Sequence, residues 1–149
     1  MSRATPEMRE FARRLIAFEA KGNKSRQTQL PIIGLVDEKL RPHLSNIMGS
    51  AGFRALLSRS IALARTELPW LRTVQVNADG TLQGWDELHA QVSPDDFVDG
   101  SVVLLAQLLG LLVAFIGESL TLRMAGELWP KLSLTDLEFS RKGKHEKNN

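Results

Sequence analysis

Three histidines and a run of acids are the side chains of this sequence best suited to chemistry. His43, His89 and His145 are the imidazoles, and none belongs to a clear ligand set at the spacing of three or four residues that would put donors on one helical face. Asp86, Glu87, Asp95, Asp96 and Asp99 crowd one stretch and could offer oxygen ligands to a divalent cation. Their spacing does not follow a calcium loop, and acids after a Ser-Pro pair are what a helix start requires. There is no Cys, which excludes thiol nucleophiles, thiolate metal sites and disulfides, and no Tyr, which removes a common general acid. No phosphate-cradling glycine loop, nucleophile elbow or paired-carboxylate motif is present. The residues therefore predict no catalytic group, no cofactor and no bound metal.

Charge is uneven along the chain. Residues 1–72 hold thirteen Lys/Arg against six Asp/Glu, while residues 73–122 hold seven acids and no base. Arg9, Arg13, Arg14, Lys21, Lys24 and Arg26 could meet nucleic acid or anionic lipid. They lack interleaved aromatics, because Phe11 and Phe18 belong to an apolar stripe, so nucleic acid is the weaker expectation.

The elements that must hold these residues are helical. Thr5-Pro6-Glu7 is a helix start, and Met8, Phe11, Leu15 and Phe18 follow at helical spacing until Gly22-Asn23. A second helix is expected over Ile32–Leu40 and is ended or kinked by Pro42. One or two turns at Leu44–Met48 then lead to a long helix capped by Ser50 and closed by Pro69. Residues 73–85 alternate through Val74 and Val76 into the turn Asn77-Ala78-Asp79-Gly80, which predicts a small β-hairpin or an extended loop. A short helix follows near Asp86–Gln91. Ser93-Pro94-Asp95-Asp96 opens the last helix, expected to pause near Gly100 and run on to Trp129.

That last helix contains the sequence's most unusual segment. From Ser101 to Gly117 the only strongly polar residue is Gln107. A helix apolar all round is buried on every side or lies in a membrane. Seventeen residues bounded by Asp99 and Glu118 are short for a span of about 20, so a core helix is expected and membrane insertion is the alternative. Ala106, Gly110 and Ala114, with Gly117 near the same stripe, are spaced for close approach of another helix. Trp70, Trp85 and Trp129 stand beside prolines or the hairpin and are candidates to pack over helix ends or to anchor a partner.

Gly52 to Arg59 through Glu67-Leu68-Pro69-Trp70-Leu71, together with Leu108 through Trp129-Pro130, resemble stretches of small bacterial helical proteins. The resemblance covers about half the chain and implies a bacterial, cytoplasmic, single-domain protein. It carries over no site, ligand or activity. His43 with Leu44 to Ser50 is also faintly similar to the histidine of a phosphotransfer bundle, but the basic residue and glycine expected just after it are missing.

The expectation is an all-α single domain over residues 1–140, built as a bundle of about five helices around the central apolar helix, with a disordered polar tail over 141–149. The absence of a basic-then-apolar leader points to the cytoplasm. The function expected is non-enzymatic protein–protein interaction or regulation. The protein would act as a homo-oligomer or as a small subunit of a complex, since burying every face of the central helix requires more helices than the chain supplies. A membrane-associated protein using residues 101–117 is the first alternative, and a nucleic-acid-binding regulator the second.

Overall fold

A computed structural model describes residues 4–24 and 32–132. The protein is all-α, with one two-stranded hairpin. In chain order the elements are α1 (Pro6–Lys24), α2 (Ile32–Glu67), the 3₁₀ turn Pro69–Thr73, β1 (Gln75–Val76), β2 (Leu82–Gln83), α3 (Trp85–Gln91), α4 (Pro94–Ile116) and α5 (Glu118–Leu128). Among the described residues, four helices have eleven residues or more and α3 is the short helix expected near Asp86–Gln91; the two helices expected between Ile32 and Pro69 form one element, and the one expected from Ser93 to Trp129 forms two. The expected tail over 141–149 lies outside the described residues.

Local chemistry sets the helix starts. Thr5 Oγ1 accepts from the Met8 amide at 3.1 Å, and Ser93 Oγ accepts from the Asp96 amide, also at 3.1 Å. Each is the N-cap bond that satisfies a first-turn N–H with no carbonyl of its own. Pro6 and Pro94 follow directly, where a missing N–H costs nothing.

Of the expected breaks, the one at Pro42 is absent, the one before the Ser50 cap falls at Gly49, and the one near Gly100 is replaced by one at Gly117. Pro42 does not end its helix; α2 runs through it. Pro42 and Glu38, whose carbonyl loses its partner, are both exposed, so water can take the freed bond. The break in α2 comes at Gly49, with φ 82° and ψ 156°. The expected pause at Gly100 does not occur, and the helix that should have reached Trp129 divides at Gly117, with φ 93° and ψ 157°. This backbone region is essentially reserved for glycine.

The hairpin is where the alternation placed it. Gln75 pairs with Gln83 and Val76 with Leu82. Its turn is closed by Asn77 N–H donating to the Thr81 carbonyl at 2.8 Å and Gly80 N–H donating to the Asn77 carbonyl at 3.0 Å. Two such short strands do not stand alone in water, and Val74 at their base is fully buried.

One hydrophobic cluster joins the elements. Met8, Phe11, Ala12, Leu15 and Ile16 come from α1, Val36, Leu40, Leu44, Phe53, Leu57 and Ile61 from α2, and Leu104, Leu105, Leu108, Leu109 and Leu112 from α4. The apolar spacing of α1 therefore marks its inner face. Buried hydroxyls on Ser60, Ser101 and Thr121 each donate to the carbonyl four residues back, so none is left bare.

A candidate interaction surface at the corner of α4 and α5

α4 is the centre of the bundle through Leu112 and is covered by the chain's own elements. Every residue from Ser101 to Leu112 except Val103 is buried. Gln107, fully buried, is no misfit there. Its side-chain amide donates to Glu67 Oε2, and Arg9 grips the same carboxylate with two N–H donors at 2.9 and 2.8 Å. This node ties α1, the end of α2 and the middle of α4 together. Arg9 holds the Glu67 carboxyl below its usual range, against the opposing effect of partial burial, and Gln107 adds a smaller push downward.

The helix emerges from the core in its last turn. Val113 and Ile116 are half-buried, while Ala114 and Phe115 are exposed, Phe115 at 65% of its surface. Beyond the break, Gly117, Ser119 and Leu120 are also exposed. Ala114 and Phe115 thus give the end of a buried helix an apolar outer surface, and Leu120 on α5 is a further exposed apolar side chain.

The stripe of small residues is split by this emergence. Ala106 and Gly110 are buried within the chain, as close helix packing requires. Ala114 and Gly117 lie outside, and no atom stands within 4 Å of where a Gly117 β-carbon would be. For these two, close packing within one chain is not what the structure contains. Between Ser101 and Leu112 the chain's own elements cover α4, and exposure returns in its last turn.

The tryptophans divide as well. Trp85 is buried, its ring centroid 5.4 Å from that of Phe97. Trp129 is buried, and its indole N–H donates to Glu19 Oε2 at 2.7 Å. Both pack the fold's interior and are not accessible anchors. Trp70 is half-buried against α4.

Among the described residues, those weighed for chemistry do not converge; the side chains of Asp86 and His89 lie outside the description. His43 Nε2 lies 3.8 Å from Glu127 Oε1. Asp95 and Asp96 occupy the exposed first turn of α4, and Glu87 and Asp99 are exposed elsewhere. His145 lies outside the described residues. Among the described residues, no group of three or more His, Asp and Glu side chains is placed to hold a metal ion. Ion pairs among the described residues of the basic first half include Arg9–Glu67, Lys39–Glu19 and Arg41–Asp37.

One buried acid was not singled out by its sequence. Asp37 is 6% exposed, on the wall of a cavity of about 10 Å³ lined otherwise by Val36, Leu40, Leu57, Leu82 and leucines of α4. That volume holds about one water, far less than a ligand pocket of several hundred Å³. Burial pushes the Asp37 carboxyl up from 3.8 to about 6, while the Arg41 guanidinium at 2.9 Å pulls the other way and Asp79 and Glu38 add to the rise.

No protein family, curated protein or solved structure matches the chain.

Proposed function

We propose that this protein acts by contact rather than by catalysis, as a homo-oligomer or as a small subunit that docks on another protein through the corner of α4 and α5. The observation that carries this reading is Phe115, 65% exposed at the end of a helix otherwise built into the core. Aromatic side chains anchored in a partner's pocket supply much of the energy of protein interfaces. Ala114 beside it leaves room for close approach, and Leu120 extends the apolar area. The setting proposed is the cytoplasm.

The test is sedimentation at micromolar concentration, comparing the full chain with Phe115→Asp. Because Phe115 is exposed, the variant should melt at the same temperature as the parent. The parent should sediment above its monomer mass of 16.6 kDa, alone or with a partner recovered with it, and Phe115→Asp should not. Identical behaviour of the two chains would overturn the assignment of the corner.

A membrane-associated role is the second reading. α4 is long and apolar enough to cross a bilayer by length and composition, although 67% of its most apolar window is buried in the fold. Flotation of the full chain with liposomes, abolished by Phe115→Asp, would favour this reading over a protein partner.

A further inference from the structure

Gly49 and Gly117 share one backbone conformation, within about a dozen degrees in φ and nearly identical in ψ. Neither has an atom within 4 Å of a β-carbon position. Close packing therefore does not require glycine at either point; the abrupt change of chain direction does. Each break sets off one helical segment, residues 32–48 before Gly49 and α5 after Gly117.

These two segments touch through a few side chains. His43 on the first lies 3.8 Å from Glu127 on the second. Lys39 stands over the Trp129 ring at 5.7 Å, just past the end of α5. Both are fastened to α1 at a single atom, since Glu19 Oε2 accepts from Lys39 Nζ at 2.6 Å and from Trp129 Nε1 at 2.7 Å.

On its inner side the 32–48 segment faces α4 across an imperfect seam. The water-sized cavity lies there, lined by Val36, Asp37 and Leu40 of the segment and by Leu104, Leu105 and Leu108 of α4, with Leu57 and Leu82 completing it. A void forfeits dispersion contacts on both walls, which makes this boundary cheaper to part than a filled one. The rest of the bundle has its own fastening in the Arg9–Glu67–Gln107 node.

From this arrangement we infer that residues 32–48 and α5 form a paired flap, jointed at Gly49 and Gly117 and latched to α1 through Glu19, which opens off α4 as one unit. Opening breaks the two bonds at Glu19 and bares Leu104, Leu105 and Leu108, turning part of the core into transient apolar surface. The inference does not depend on the exposed corner, which is present in the closed form.

Native-state hydrogen exchange on the full chain tests it, because amides that open together report one sub-global event. Glu19→Gln should speed exchange about tenfold in residues 36–48 and 118–129 alike, the effect of losing one charge-assisted bond. Residues 53–64 of α2 and 101–112 of α4 should keep their rates. Lys39→Gln, which undoes the latch from an exposed position on the flap, should give the same pattern with a smaller factor, and it carries the test if Glu19→Gln does not fold. Acceleration spread evenly over every helix, or confined to one of the two segments, would overturn the paired flap.

Discussion

The indole of Trp70 lies so close to α4 that a β-carbon on Gly100 would sit 2.7 Å from its Cη2 atom. The contact lets the 3₁₀ turn after α2 close on the first turns of the central helix. Gly100→Ala gains about 1 kcal/mol of helix propensity and forces the ring edge outward. These effects oppose each other, so stability should change by less than about 1 kcal/mol. The emission of Trp70 should move to the red as the ring meets water. An unshifted spectrum would mean that α4 yields instead.

Asp37 gives the protein an unusual pH dependence. Its carboxyl titrates at about 6 in the fold against 3.8 for a free one. Between those values the folded chain keeps a proton that the unfolded chain has released, so this group's contribution falls as pH rises through the window and stays low above it. Asp37→Asn mimics the protonated form. It should stabilise the protein at pH 7.5 by up to about 3 kcal/mol, an advantage that vanishes near pH 4. Denaturant titrations of the two chains at both pH values provide the check.

Gly110 and Ala114 are four residues apart and should respond oppositely to the same side chain. Gly110 is buried, and Gly110→Leu should overpack the core at a cost of about 1–3 kcal/mol. Ala114 is exposed, and Ala114→Leu should leave the melting temperature unchanged. Equal effects at both positions would show that α4 remains covered to its end.

Glu67 offers a spectroscopic prediction. Arg9 is the main cause of its lowered pKa and Gln107 a lesser one. Arg9→Gln should therefore move the Glu67 titration, followed by carboxyl NMR shifts, further upward than Gln107→Leu does. The pair's stabilisation is present above the ordinary carboxylate range and is lost as pH falls through the lowered value.

Much of the architecture was legible because capping, turn chemistry and apolar periodicity are local signals. Thr5, Ser93, the Asn77–Gly80 turn and the α1 stripe all act within a few residues of themselves. The glycines were not legible in the same way. A glycine inside a helical stretch reads the same whether it admits a neighbour, as Gly100 does, or turns the chain, as Gly117 does. Phe115 escaped notice for a related reason. A helix apolar on every side carries no directional pattern, so the turn that leaves the core looks like those that stay within it. Asp37 resembled a solvated helix acid, since its burial comes from β2 and α4, dozens of residues away.

The hairpin tip has a consequence for anyone adding sequence to this protein. Turns rich in Asn, Asp and Gly are usually where tags and inserted domains are tolerated. Here the turn is a stopper. Gly80 is buried, with its β-carbon position 3.0 Å from Arg41 Cδ and 3.4 Å from the Phe53 ring. Asp79 braces it by accepting from the Thr81 amide at 3.0 Å and hydroxyl at 2.6 Å. An insertion between Asn77 and Thr81 would lift that stopper and let water in beside Arg41 and its buried carboxylate partner.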